Sequence, residues 1–289
     1  MSSGRDEMSA KFSNTGIEDP LLEFDGGVAA IDIMTLNRAA RAVAALGFEP
    51  QLPTVADVAM PPVFDSLCVI EVEPGLHVRV TIDTKKMTWA LDSDEVHRHD
   101  FTDYTGKDRY GVLVNGRPLA AVNGIATTNV PAKLVDGRPL MMWFAEVPRR
   151  TLDETGYYGL FSLAKSLADG FTDWREFDDV VIPAQQIKWE RRMNELLPAN
   201  PALIGGVTQR VWVALDESGV RVKAATMIYT GGVAGQPVIK RHTFGADHPV
   251  VMWLTEPGST IPFAVVATTA DTWLDPGRAA SFEESAFSD

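Results

Sequence analysis

From Gly206 onward the chain is a succession of β-forming segments, "VTQRVWVAL", "VRVKAATMIY", "PVIKRHTF", "VVMWL" and "IPFAVVATT", divided by turn residues. No other feature narrows the fold as much, because strands spaced this closely must pair into sheets that bury at least one face. The stretch "DESGVRVKAATM" (216–227) is the sharpest case. Val220, Val222, Ala224 and Thr226 alternate with Arg221, Lys223 and Ala225, the period of a half-buried strand. That period predicts Arg221 and Lys223 on the solvated side. A glycine-rich tract, "TGGVAGQP", follows almost at once and suits a flexible loop. The stretch is either an ordinary sheet strand or a mobile segment able to become one.

Upstream the pattern is mixed. In "TLNRAARAVAALG", Leu36, Ala40, Val43 and Leu46 recur at helical spacing and Gly47 suits the C-terminal cap. "EPQLPTVADVAMPPVF" reads as a proline-punctuated connector. "SLCVIEVE" and "LHVRVTIDT" both alternate and are divided by "PG", which predicts a β-hairpin, with "MTWALDS" as a further strand. Residues 94–108 are polar and charged and predict a surface loop. "GVLVNGRPLAAVNG" carries a hairpin-like "NG", and "PLMMWFAEVP" predicts a strand buried on both faces. Residues 153–177 predict a helix with Leu160, Leu163, Ala164 and Leu167 on one face and Gly170 as its stop. "DDVVIPA" reads as a short strand and "WERRMNELLP" as a helix ended by proline. Helices in the first two-thirds and a strand-dense end predict an α+β fold with mostly antiparallel sheets. Residues 1–20 are expected as a flexible arm, 21–276 as one domain and 277–289 as a flexible tail.

Composition narrows the function. Of 289 residues, 45% are hydrophobic and 22% charged, an ordinary globular balance. The net charge of −13 argues against nucleic acid, since no basic surplus exists to neutralise phosphates, and against anionic membrane surfaces. No apolar run reaches membrane-spanning length. The polar start "MSSGRDEMSAKFSNTGIEDP" lacks the apolar centre of a secretory signal, so a cytoplasmic protein is expected. Cys68 is the only cysteine, which excludes an intramolecular disulfide, and it reads as a small buried hydrophobe.

Few residues are patterned for chemistry. No nucleophile elbow, phosphate loop or dinucleotide fingerprint is present, and no cofactor is expected. "HRHD" places His97 and His99 at i and i+2, which on a strand share a face and could begin a zinc or nickel site in a metal-dependent enzyme. Surface histidines in a charged loop are the plainer reading. The acidic groups at Asp92 and Asp178 read as solvated charge, and the charges of "WERRMNELL" as helix-face support.

The order of motifs in the last third resembles the C-terminal portion of serpins. In that family a strand ending in Glu-x-Gly leads to a hinge, an exposed reactive loop and a Phe-x-Ala-Asp-His-Pro type motif. Here Glu217 and Gly219 match the start of the hinge, and Ala224, Ala225 and Thr226 its later positions. Phe244, Ala246, Asp247, His248 and Pro249 match the second motif. The resemblance is clearest over 138–276. "RPLMMWFAEVP" and "VVIPAQQIKWERRMNELL" extend it upstream, while the N-terminal half lacks the family's shutter segment. Val220, Arg221, Val222 and Lys223 replace the family's smaller hinge residues.

The resemblance implies a non-enzymatic serpin-like protein that binds a protein partner through an exposed loop. In an inhibitor, the cleaved loop enters a sheet as an added strand. The family's spacing would put the scissile bond at Val233–Ala234, a bait for a serine protease of elastase- or subtilisin-like specificity. Forcing Val220 and Val222 through a closed sheet costs ~1–3 kcal/mol of overpacking. Such a penalty in the barrier slows insertion by roughly one to two decades. A non-inhibitory structural or interaction protein on a reduced scaffold, with 219–226 as a static strand, is the alternative.

Overall fold

The structure, a computed structural model, describes residues 19–47, 54–73, 77–85, 87–92, 94–171, 176–192, 208–224, 241–283 and 285. Strand β1 (Val28–Ile31) runs into helix α1 (Ile33–Ala45), and α2 (Pro62–Leu67) precedes the hairpin β2 (Cys68–Glu73) and β3 (His77–Asp83). Then come β4 (Thr88–Trp89), β5 (Val96–Thr102), β6 (Asp108–Val122), β7 (Ile125–Lys133) and β8 (Pro139–Glu146). Helices α3 (Arg149–Asp153) and α4 (Tyr157–Asp169) follow. The remainder is β9 (Glu176–Pro183), β10 (Gln185–Arg192), β11 (Thr208–Asp216), β12 (Gly219–Ala224), β13 (Arg241–Thr243), β14 (Val250–Thr255) and β15 (Phe263–Thr268). The fold is α+β, with the helices in the first two-thirds of the chain.

Two sheets organise these strands. Among the described residues, ten form one sheet in the order β1-β15-β14-β8-β7-β6-β9-β13, with β4 added to β7 and β5 to β6. The other sheet runs β10-β11-β12-β3-β2. Pairing is antiparallel except where β13 lies parallel to β9. β14 and β15 are buried along their whole length, as expected for interior strands covered on both faces. Trp143 and Trp253 face each other across β8 and β14 with rings parallel and 5.8 Å apart. Helix α4 packs Leu160, Phe161, Ala164 and Leu167 toward β1, β14 and β15.

Asp32 joins the layers. It follows β1, and its carboxylate caps α1 by accepting from Met34 N and Thr35 N, filling two donors that a helix start leaves open. Burial raises its pKa against these bonds. Its backbone is gripped by Gln209 of β11, whose Oε1 accepts from Asp32 N (2.8 Å) and whose Nε2 donates to Asp32 O (2.6 Å). The two sheets are thereby tied at one point. Among the described residues no helix is long and apolar enough to cross a membrane.

Helices α1 and α4, the β2–β3 hairpin and strands β11, β14 and β15 form as their patterns predict, while the parts of "VRVKAATMIY" and "PVIKRHTF" beyond β12 and before β13 lie outside the described residues. Three segments differ. Residues 96–102 are strand β5 rather than loop: they pair antiparallel with β6 from Val96↔Val114 to Thr102↔Asp108, with Val96 and Phe101 buried near the two ends and Arg98 and Asp100 exposed. "WERR" belongs to strand β10, not to a helix, with Ile187 and Trp189 buried and Lys188 and Glu190 exposed. Asn115 and Gly116 sit inside the long strand β6, where the register against β9 shifts and Gly116 takes φ +60°. The hairpin turn is instead Asn123 and Gly124, both at positive φ between Val122 and Ile125.

Candidate functional site

The strand that matches a hinge in the sequence is β12, and its position is built from a tight turn. Asp216 ends β11, and its Oδ1 accepts from Ser218 N (2.8 Å) and from the Ser218 hydroxyl. Such an Asx turn closes the chain over Glu217 and Ser218 and brings Gly219 opposite Asp216. The side-chain oxygen Glu217 Oε2 is buried there without a hydrogen-bond partner. From Gly219 to Lys223, β12 pairs in register with β11.

Its other flank is occupied as well. Lys223 and Ala224 pair with Asp83 and Ile82 of β3, and Thr84 Oγ1 donates to Val222 O at 3.0 Å. Val220 bridges Met87, and Trp89 Nε1 donates to Asp216 O at 3.2 Å. Ile82, Asp83, Thr84 and Met87 thus line β12 along this flank, and Trp89 reaches the turn before it. Neither edge of the strand is free.

Both faces are covered too. Val220 and Val222 are buried, as the alternation predicts, but Arg221 is also wholly buried. The expectation of a solvated Arg221 is therefore corrected. A segment near the C-terminus lies on that side, and Arg221 Nη1 donates to Phe282 O at 3.1 Å. Ser281 N donates to Gln186 Oε1 on β10, and Ala280 and Phe282 are buried, within the range read as a tail. Of the other matched hinge positions, Ala225 and Thr226 lie outside the described residues, as do Val233 and Ala234 of the bait.

The chain returns at β13, at the edge of the other sheet. Here the second matched motif forms a tight turn around one buried carboxylate. Glu146 Oε1 accepts from Gly245 N, Asp247 N and His248 N at 3.0–3.1 Å, and Oε2 lies 3.2 Å from His242 Nε2. Burial would raise the Glu146 pKa, but His242 and the backbone donors outweigh it and hold the pKa below the ordinary value. Phe244 is buried edge-on to His242, with centroids 4.7 Å apart, and Pro249 O accepts from Val147 N. Gly245 takes φ +90° against Trp273, where a Cβ would approach the indole to 2.6 Å. Asp247 and His248 point to solvent. The motif is a clamp on the chain just after residues 225–240.

His97 and His99 share one side of β5, but their neighbours are not ligands. His97 Nε2 lies 3.5 Å from Asn115 Nδ2, and His99 Nε2 lies 3.5 Å from Arg241 Nη1. Burial and the Arg241 charge lower the His99 pKa. Among the described residues no group of three His, Cys, Asp or Glu side chains is placed to hold a metal.

Sequence reasoning found the turn and the strand and missed what flanks them. Thr84, Met87, Trp89 and Phe282 carry no local signal of such contacts. Glu146 did carry one, as the lone charge in the apolar run "PLMMWFAEVP", since a buried charge demands partners.

No family model and no curated protein matches the chain. Among solved structures, a thermophilic serpin, tengpin, in its native state aligns with a TM-score of 0.41 and 13% identity, over 67% of this chain and 54% of that one. Serpin 12 of Manduca sexta gives 0.41 and 11% identity over 66% and 55%. A highly specific serpin of the insect Tenebrio molitor gives 0.39 and 13% over 63% and 52%. The chain spans little more than half the length of each. It bears a distant structural resemblance to serpins, and at this depth the likeness assigns no role to any residue.

Proposed function

We propose that the protein acts by binding a protein partner on a reduced serpin-like scaffold, and that it does not trap proteases by strand insertion. The observation that carries this reading is the closure of β12 on all sides: β11 along one edge, Ile82, Asp83, Thr84 and Met87 along the other, and buried Val220, Arg221 and Val222 on its faces. Insertion releases energy when a strand fills an open place in a sheet. Here the first residues of the matched hinge already fill theirs, so less remains to be gained. Residues 225–240, strung between β12 in one sheet and β13 in the other, are the binding loop in this proposal. A protease of elastase- or subtilisin-like specificity would cut at Val233–Ala234 as it cuts a substrate, and leave.

The experiment is incubation with elastase, followed by denaturing electrophoresis and thermal unfolding of the nicked protein. The expected result is a cleaved chain, no covalent complex, and an unchanged or lowered unfolding midpoint. An SDS-stable complex, or a large rise in the midpoint after nicking, would overturn the proposal and restore the inhibitory reading.

A further inference from the structure

β2 is the last strand of the five-stranded sheet, and among the described residues no strand pairs with its outer edge. Sheet edges are commonly protected by lysine, proline, a bulge or a covering element, because their open N–H and C=O groups invite another strand. β2 has no lysine or proline, and its register with β3 is unbroken from Cys68↔Ile82 to Glu73↔His77. Val69, Ile70 and Val72 are 54%, 45% and 55% exposed. Aliphatic exposure on both faces of an unguarded edge marks an interaction surface.

We propose that two copies of the chain pair antiparallel through β2, about a two-fold axis at Ile70. The pattern of the strand selects this occupant. With Ile70 opposite Ile70 of the partner subunit, Cys68 falls opposite Val72 of the partner subunit, and the reverse. The known β2–β3 register then extends each rung. The outer rungs hold Val78, Val72, Cys68 and Ile82, and the central one holds Val80 and Ile70 from each copy. One face of the joined sheet is thus apolar across three full rungs.

The other face is consistent with the same axis. Val69 meets Glu71 of the partner subunit, so no glutamate faces another, and Glu71 already has Arg79 beside it at 4.0 Å. Moving the register by one residue puts Ile70 opposite Glu71. Moving it by two puts Glu71 against Glu71 in one direction, and in the other leaves Ser66 opposite Val72. Three full apolar rungs form only with the axis at Ile70, which favours a second copy over an unrelated basic strand. Such an isologous contact has the usual symmetry of a homodimer, and it does not depend on how residues 225–240 bind.

Sedimentation equilibrium of the full chain tests this. A monomer–dimer equilibrium is expected, tightening as salt is raised, because each copy carries a net charge of −13 and salt screens their repulsion. Ile70→Lys, at a half-exposed position, should leave the circular dichroism unchanged and weaken dimerisation ~100-fold or more, since each substitution counts twice across the axis. Cys68→Ser combined with Ile70→Cys should yield a disulfide-linked dimer on oxidation, because directly opposed residues in an antiparallel pair lie within disulfide range at about 4.5–5.5 Å between Cα atoms. That double variant decides the matter if Ile70→Lys fails to fold. A monomer at every concentration, a dimer indifferent to Ile70→Lys, or a dimeric sample of the double variant that forms no cross-link on oxidation would overturn the proposal.

Discussion

The guanidinium of Arg221 donates to the carbonyl of Phe282, 61 residues later in the chain, and is wholly buried in doing so. A long cation at the centre of a sheet needs acceptors brought to it, since an unpaired buried charge is costly. The segment around Phe282 therefore does more than finish the chain: it covers one face of β12 and supplies an acceptor there. Arg221→Ala removes both the stem that packs and the bonds that hold, and should cost ~2–4 kcal/mol in urea unfolding. Arg221→Met keeps the volume without the charge and should cost about 1 kcal/mol or less. Equal losses in the two variants would show that volume plays no part.

Arg109 forms a second buried tie, between β6 and the chain beyond β15. Its Nε donates to Asp103 Oδ2 at 2.7 Å, and its Nη1 to Trp273 O and Asp275 Oδ1. Burial alone would raise the Asp103 pKa, but Arg109, the Thr105 hydroxyl and two backbone N–H groups bring it down to about 2. Arg109→Ala strands the enclosed Asp103 carboxylate and should cost ~3–5 kcal/mol. Asp275→Ala removes a partner whose side chain is mostly exposed and should cost under ~1 kcal/mol. Chemical denaturation of the two variants side by side measures the contrast.

How far the sequence could be read depended on whether a segment's partners were local. The helix at 33–45 and the hairpin at 68–83 declare themselves by period and turn residues alone. β10 does not. Its charged residues also satisfy helical spacing, and only its place beside β11 decides for period two, with Ile187 and Trp189 inward. β12 was legible as a strand from its valines. Its second buried face was not, because the cover on Arg221 comes from Phe282. The clamp at Glu146 likewise joins residues about a hundred positions apart, and only the oddness of a glutamate in an apolar strand pointed to it.

That clamp gives an acid response with a definite sign. The folded-state pKa of Glu146 is depressed, with burial opposing and His242 and the N–H groups of Asp247 and His248 prevailing. The ionised form is therefore favoured by folding, and its stabilisation is complete above the unfolded carboxyl pKa of ~4.3 and lost as pH falls through the lower folded value. Asp103 adds to the same window, between ~3.9 unfolded and about 2 folded. Thermal midpoints should be flat from pH 7 to 5 in this respect and fall below 4.5. In Glu146→Gln the midpoint should be lower at pH 7, and the acid decline shallower. An acid decline as steep as the parent's would place the titrating groups elsewhere.

Gln209 offers the cleanest measure of how the two layers depend on each other. Its amide satisfies both the N–H and the C=O of Asp32, at the point where β1 becomes α1. These backbone groups are buried, so deleting the side chain leaves Asp32 N without its acceptor, while Asp32 O keeps the N–H of Leu36 at 3.3 Å. Such an orphan costs ~1–3 kcal/mol, and Gln209→Ala should therefore lose about that much. Gln209→Glu keeps the acceptor for Asp32 N but sets a second carboxylate beside the buried Asp32 and turns the donor into an acceptor facing Asp32 O. It should be at least as damaging near pH 7 and should recover as pH falls and the new carboxyl gains its proton. Urea midpoints of both variants at pH 7 and pH 5 give the comparison. A Gln209→Glu protein insensitive to pH would mean that this side chain is not held against Asp32.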